Sequence, residues 1–121
     1  MTPEIGVKVP DILLPKTSID YKKWAVIACD QFTSEPEYWQ QVEEIVGDSP
    51  STYHMILPEV FLGTPEEKKR LDSTHQAMHQ YLQSDIFQQV NDFIFVRRTV
   101  NDQTRRGLMV CLDLEHYNYN A

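Results

Sequence analysis

The feature that most constrains the fold of this chain is a helix-start signal that occurs twice. A Ser or Thr followed three residues later by Glu has the capping-box spacing, in which the hydroxyl and the carboxylate each bond the other residue's backbone N–H. Ser34 stands in this relation to Glu37, and Thr64 to Glu67, with a proline at position 65. The sequence therefore predicts two main helices, one ended by Gly47 and one running from Thr64 to about residue 83.

Apolar side chains recur at helical spacing along both segments, so each helix is expected to turn one face to a core. The first set is Trp39, Val42, Ile45 and Val46. The second set is Leu71, His75, Met78 and Leu82.

Four other apolar runs are too short for helices and favour strands. Residues 24–29 form a continuous run that predicts a strand buried on both faces, and residues 53–57 predict a short strand stopped by Pro58. Residues 84–90 are expected to form a turn. Residues 93–96 and 107–112 flank Asn101-Asp102-Gln103-Thr104, which predicts an antiparallel hairpin over about 92–114. The expected fold is α+β, with a mixed or antiparallel sheet of about four strands, two main helices and a C-terminal β-hairpin.

The N-terminal stretch and the end of the chain bear on domain organisation. Residues 1–16 contain Pro3, Pro10 and Pro15, which favour an extended arm over a helix. The chain ends at Ala121 directly after a predicted strand. We expect residues 1–121 to form a single domain that is the N-terminal part of a longer protein.

Charge and composition exclude several classes of protein. A net charge of −7 repels phosphate backbones, so nucleic acid is not an expected partner unless a local basic patch binds it. The tight basic group is Arg97, Arg98, Arg105 and Arg106, beside the predicted turn, where solvated charges are ordinary and an anionic small molecule is an alternative. Charged residues interrupt the N-terminus, so no signal peptide or membrane span is predicted.

The two cysteines, Cys29 and Cys111, lie in apolar runs. They are expected to be buried, reduced and structural in a cytoplasmic protein, since two thiols of this kind imply no disulfide framework. A nucleophilic role for Cys29 is disfavoured because no histidine is near it in sequence.

The most informative polar segment is residues 29–34, which join a predicted strand to a helix start. Free N–H groups and the helix dipole make such junctions natural anion sites. Asp30 could orient a metal-bound phosphate or a substrate amine, and Thr33 could donate to the same ligand. The alternative is that these side chains satisfy local backbone groups only. The candidate ligand-binding residues are Asp30, Gln31, Thr33, Ser34 and Glu59.

Other chemistry-bearing residues give weaker signals. His75 and His79 have the i, i+4 spacing of a zinc pair, but the sequence supplies neither a third ligand nor the glutamate of the metalloprotease motif. His54 and His116 each stand alone in predicted strands. No glycine-rich phosphate loop is present. No metal site is predicted, no catalytic residue is assigned, and the cofactor, if any, stays open.

Four stretches resemble the N-terminal portion of a bacterial and archaeal family catalogued as domain of unknown function 1015. The most specific is residues 23–39, which contain Cys-Asp-Gln-Phe-Thr-Ser at 29–34. The others are residues 12–16, 49–52 and 56–60. The resemblance spans nearly the whole chain.

The resemblance implies a much longer parent protein. The family's Asp-Gly-His-His-Arg stretch is similar to that of the ParB and sulfiredoxin superfamily, some of whose members phosphorylate free serine. This chain contains no such stretch. The resemblance therefore implies that the longer protein acts on a small polar metabolite in a kinase-like reaction. The residues of its catalytic signature would lie outside this chain. The alternative is a non-catalytic module that binds a partner or a second copy through the edge of the hairpin.

Overall fold

The computed structural model describes residues 6–116, which fall into two compact units. One unit contains residues 6–14 and 88–116, and the other is Pro15–Phe87. The α-helices are α1 (Tyr21–Trp24), α2 (Pro36–Val46) and α3 (Glu67–Gln83). The strands are β1 (Val7–Lys8), β2 (Asp11–Pro15), β3 (Phe87–Asn91), β4 (Ile94–Val100), β5 (Gln103–Met109) and β6 (Cys111–Leu112). Short 3₁₀ helices span Thr52–Met55, Glu59–Phe61 and Leu114–His116.

The strands form three two-stranded sheets, with the pairings β1–β6, β2–β3 and β4–β5. The first and third pairs are antiparallel. The β2–β3 pair is also antiparallel, because Asn91 contacts Asp11 at one end and the Lys16 N–H donates to the Ile86 carbonyl at the other. The α+β class is confirmed. The strands form several small sheets in place of the single sheet of about four strands that the sequence predicted.

The C-terminal hairpin is confirmed, although it is shorter than the predicted span of about 92–114, because β5 ends at Met109 and Cys111–Leu112 pair with β1 instead. Its register runs from Ile94 opposite Met109 to Val100 opposite Gln103. Asn101 and Asp102 form the two-residue loop with φ of 50° and 64°. Both residues tolerate the left-handed region, and such a turn matches the twist of the flanking strands. The prediction for residues 84–90 was right only for 84–86, since β3 begins at Phe87.

A small aromatic core organises the Pro15–Phe87 unit. Trp39, Val46 and Tyr53 are its buried apolar residues. Val26, Tyr38, Val42, Ile56, Val60 and Phe61 pack around them. Helix α2 therefore uses three of its four predicted core positions, whereas Ile45 is 67% exposed. Gly47, at φ 55°, ends α2 as predicted, and its N–H donates to the Glu43 carbonyl at 2.9 Å.

The predicted capping box at Ser34 is wrong, although the helix is present. Helix α2 begins at Pro36, and its first turn has no side-chain cap. A cap at Ser34 would place Glu35 in helical backbone, which is disfavoured for the residue before a proline. Glu35 is instead non-helical, with φ of −124° and ψ of 76°. The capping box predicted at Thr64 is wrong too, because α3 begins at Glu67 without a side-chain cap; Thr64 accepts from the Glu66 N–H at 3.3 Å in the turn before the helix.

The predicted strand over residues 24–29 is also wrong. The Asp20 carboxylate accepts from the Lys22 N–H at 3.0 Å and starts α1, which includes Trp24. The Trp24 carbonyl then accepts from the hydroxyls of Ser51 (3.3 Å) and Thr52 (2.7 Å). In a strand, this carbonyl would instead accept from the backbone N–H of a neighbouring strand. Residues 25–28 are irregular, and three of the four are exposed.

The predicted strand over residues 53–57 is replaced by the 3₁₀ helix Thr52–Met55. The buried Ser51 hydroxyl accepts from the Tyr53 N–H at 3.1 Å, which turns the chain at this point. A Ser side chain that bonds the backbone two residues on competes directly with strand pairing.

Helix α3 ends at Gln83 as predicted, but it turns a different face inward. Leu71, His75, Met78 and Leu82 are all exposed. Apart from Glu67 at the start of the helix, the less exposed positions are each one residue earlier along the chain: Arg70, Thr74, Ala77 and Tyr81. The Tyr81 hydroxyl accepts from the Ser51 N–H at 3.1 Å, so hydrogen bonding on this face helps set the rotation of the helix. Within residues 6–116, no helix has both the length and the apolar composition that crossing a bilayer requires.

Candidate functional site

Residues 29–34 form a loop whose backbone is held at Cys29 and at Gln31. The Cys29 carbonyl accepts from the Glu59 N–H at 2.8 Å. The indole N–H of Trp39 donates to the Gln31 carbonyl at 3.1 Å, and the Gln31 N–H donates to the Ala28 carbonyl at the same distance. The loop is thus tied to the core of its unit through main-chain atoms, which leaves its polar side chains available to solvent.

Phe32 fixes the shape of the loop. Its φ of 52° lies in the left-handed region, which costs a non-glycine residue about 1 to 2 kcal/mol. Its ring stacks on Tyr38 at 4.0 Å between centroids, with 19° between the planes. Such a pair returns about 0.5 to 1.5 kcal/mol beyond the area it buries. Strained residues of this kind often occur at binding sites.

The structure brings Glu59, which is distant in sequence, next to this loop. Glu59 is the first residue of the 3₁₀ helix Glu59–Phe61, and its bond to Cys29 joins the two segments directly. The side chains of Asp30, Gln31, Thr33, Ser34 and Glu59 are all exposed. Asp30 and Gln31 approach each other at 3.5 Å, the outer limit of a hydrogen bond. The backbone therefore gathers two acids, one amide and two hydroxyls on accessible positions.

The start of α2 is less suited to an anion than the sequence suggested. Pro36 has no N–H to offer, and Glu35 and Glu37 flank it. These carboxylates already interact favourably with the positive end of the helix dipole. The chemistry of the loop thus favours cationic or hydroxyl-bearing ligand groups, which carboxylates bind through charge-assisted hydrogen bonds.

The other candidate residues lie elsewhere or alone. Cys29 is half-buried and Cys111 is exposed, so neither thiol is buried as the sequence predicted. His75 and His79 are exposed on α3, and the His79 ring contacts Gln83 at 3.1 Å. The 3₁₀ helix Thr52–Met55 contains His54, whose Nε2 is buried without a hydrogen-bond partner among the described residues. The side chain of His116 lies outside the described residues. Across residues 6–116, no three His, Cys, Asp or Glu side chains group as metal ligands.

Sequence reasoning missed a second cluster, centred on Arg70. Its guanidinium carbon lies 3.6 Å from the centre of the Phe61 ring, and its Nη1 donates to the Tyr53 hydroxyl at 3.3 Å. Carboxylate oxygens of Glu43 and Glu66 lie 3.9 Å from other guanidinium nitrogens. The i, i+4 spacing of Glu66 and Arg70 was the signal in the sequence that could have indicated it.

Burial raises the pKa of Tyr53 above its ordinary value of 10.0, and the hydrogen bond from Arg70 opposes the shift. The folded protein therefore keeps this proton at a pH where the unfolded chain has lost it. We expect the free energy of unfolding to fall as pH rises above about 10, by at most about 1.4 kcal/mol per pH unit from this group. Urea unfolding at pH values from about 8 to about 11 measures the effect.

Tyr53→Phe should remove this part of the alkaline decline, whereas the same change at the exposed Tyr21 should leave it in place. If the free energies of unfolding of the unsubstituted protein and of Tyr53→Phe fall in parallel as pH rises, Tyr53 is not the group responsible.

The fold and the loop define an α+β protein whose larger unit carries an exposed polar loop anchored to an aromatic core. A family model described as "Protein of unknown function (DUF1015)" matches residues 13–121. The chain belongs to this family, as the resemblance of its sequence predicted. No curated protein matches the chain. No solved structure matches it either.

Proposed function

We propose that residues 29–34 and Glu59 form a binding surface for a small polar metabolite in a bacterial cytoplasmic protein. The parent protein would act on that metabolite in a kinase-like reaction, with its reacting residues outside this chain. The observation that carries the proposal is the bond from the Glu59 N–H to the Cys29 carbonyl, which joins two segments chosen independently from the sequence. The strained, stacked Phe32 and the anchored Gln31 carbonyl support a loop of fixed shape.

The composition of the surface indicates which ligands it suits. Asp30 and Glu59 offer carboxylates for an amine, and Thr33 and Ser34 offer hydroxyls that both donate and accept. The Gln31 amide can donate to a ligand carboxylate. An amino alcohol or a hydroxy amino acid, such as free serine, matches this set. A phosphate group does not, because the surrounding acids repel it.

Calorimetric titration of the 121-residue chain with L-serine, with and without ATP, tests the proposal. We expect saturable binding that Asp30→Asn and Glu59→Gln each weaken by about 10-fold or more, since each loses a charged hydrogen bond. Asp72 is an exposed acid on α3, so Asp72→Asn is the matched control and should bind L-serine as tightly as the unsubstituted chain does. Absence of binding, or equal losses in all three variants, would overturn the proposal.

A second candidate is self-association through the C-terminal hairpin. In the described residues β4 and β5 pair only with each other, so each has an outer edge that could accept another strand. Phe95 and Leu108, directly opposite each other, are 61% and 60% exposed. Two such edges from two copies are self-complementary.

Sedimentation equilibrium tests this candidate. A concentration-dependent dimer should shift toward monomer in Leu108→Lys, whereas Leu71→Lys, at an exposed apolar position on α3, should not change it. If the unsubstituted 121-residue chain remains a monomer at all concentrations, this candidate is ruled out.

A further inference from the structure

The hairpin β4–β5 places four arginines in two directly opposed pairs. Its register sets Arg97 opposite Arg106 and Arg98 opposite Arg105, and all four are exposed. Residues opposite each other on an antiparallel pair have Cβ atoms about 4.5 to 5.5 Å apart, and like charges there destabilise the pairing. The protein therefore carries two repulsive contacts in a seven-residue ladder.

No ion pair among the described residues involves these arginines. The ion pairs within residues 6–116 are formed by Lys8, Lys16 and Arg70, and none involves a hairpin arginine. Scarcity of acids is not the cause, because the chain contains 18 Asp and Glu residues against 11 Lys and Arg. Within residues 6–116, a concentrated positive patch thus has no ion-pair partner, although the protein is strongly acidic.

The two faces of the hairpin differ in what surrounds each arginine pair. Side chains alternate along a strand, so Arg98 and Arg105 share one face with Val100 and Gln103. A cavity of about 420 Å³ is lined by Arg98, Val100, Asn101, Gln103 and Arg105. On the opposite face, beside Arg97 and Arg106, the hydroxyls of Thr99 and Thr104 bond each other at 2.9 Å. The Arg98–Arg105 face is therefore the one that offers a recess with free donors.

We propose that the Arg98–Arg105 face binds a small molecule carrying a phosphate or pyrophosphate group. A phosphate dianion matches two adjacent guanidinium groups in charge, and each guanidinium fork can donate two hydrogen bonds to its oxygens. The side-chain amides of Asn101 and Gln103 line the same recess and supply further donors. The volume lies within the range of small-molecule sites, about 300 to 1,000 Å³.

A small ligand fits this protein better than a nucleic acid does. The net charge of −7 opposes the approach of a long polyanion, whereas one phosphate group is held by local contacts. The site lies in the unit formed by residues 6–14 and 88–116, so it does not rest on the function proposed for the loop at residues 29–34.

Titration of the chain with pyrophosphate at constant ionic strength tests the proposal, followed by calorimetry or by NMR of the arginine side chains. We expect saturable binding that Arg98→Gln and Arg105→Gln each weaken by about 10-fold or more, since each loses charge-assisted hydrogen bonds. Arg97→Gln and Arg106→Gln remove the same charge from the same ladder on the other face. The affinity of these controls for pyrophosphate should be within about 3-fold of that of the unsubstituted chain, because they change only the long-range electrostatic attraction.

Thermal melting of the same variants separates binding from folding. Without ligand, Arg98→Gln should melt at a slightly higher temperature than the parent, because one repulsive pair is gone. Pyrophosphate should raise the melting temperatures of the unsubstituted protein and of Arg97→Gln by more than that of Arg98→Gln. Equal losses in all four variants, absence of pyrophosphate binding, or tighter binding of a short oligonucleotide than of pyrophosphate would each overturn the proposal.

Discussion

Trp39→Ala is expected to lower the free energy of unfolding of the Pro15–Phe87 unit by about 3 to 5 kcal/mol. Trp39 is fully buried at the centre of the core, beside Val46 and Tyr53. Alanine would leave a cavity and would also remove the indole N–H that holds the Gln31 carbonyl. A domain is stable by only about 5 to 15 kcal/mol, so this loss is a large share of the total.

Urea unfolding followed by circular dichroism measures the effect. Trp39→Phe keeps an aromatic ring but loses the hydrogen bond, so it should cost less than alanine while still releasing the loop at residues 29–34. Ile45→Ala, on the exposed side of the same helix, should change stability by no more than about 0.5 kcal/mol. A cost for Ile45→Ala comparable to that of Trp39→Ala would contradict the assignment of the core.

The two main helices and the hairpin were predictable because the signals that end or turn the chain there are local. Gly47 ends α2 through its own φ, and the Asn101–Asp102 turn sets the hairpin register through backbone geometry. Once the position of that turn is known, counting residues back along each strand shows that Arg98 and Arg105 are a directly opposed cross-strand pair. The site on the hairpin could thus have been located from sequence, although its cavity could not.

The strands predicted over residues 24–29 and 53–57 are absent from the structure, and the reason for the first absence is non-local. An apolar run becomes a strand only when another strand lies alongside it, and no composition rule supplies that partner. Here the Trp24 carbonyl is taken by the hydroxyls of Ser51 and Thr52, from a segment far along the chain. For residues 53–57 the cause is local, because the Ser51 hydroxyl accepts from the Tyr53 N–H and caps the 3₁₀ helix Thr52–Met55.

The inward face of α3 shows the limit of a hydrophobic stripe as a guide. Periodicity gave the length of the helix, but polar contacts of Arg70 and Tyr81 lie on the inward face. Adjacent residues differ by about 100° around a helix, so an error of one position turns a predicted core face toward solvent. The meeting of Glu59 with residues 29–34 was equally unpredictable, because it depends on one main-chain bond between distant segments. A ligand for those residues remains a prediction.

Arg70→Leu is expected to lower the free energy of unfolding by about 2 to 3 kcal/mol, even though leucine is a good helix former. The change removes the stack on Phe61 and leaves the buried Tyr53 hydroxyl without its donor. The two carboxylates at 3.9 Å add little, because Glu43 and Glu66 are more than half exposed and the separations are long for hydrogen bonds. The loss should therefore be nearly independent of salt concentration.

Arg70→Lys separates charge from shape. Lysine keeps the positive charge but has no planar group to lie on the Phe61 ring, so we expect it to recover less than half of the loss. Lys69→Leu, a neighbouring exposed cation on α3, should change stability by no more than about 0.5 kcal/mol. A double-mutant cycle of Arg70→Leu with Phe61→Leu should give a coupling energy of about 0.5 to 2 kcal/mol. Additive single losses, or full recovery by lysine, would show that the charge and not the stacked guanidinium stabilises this part of the core.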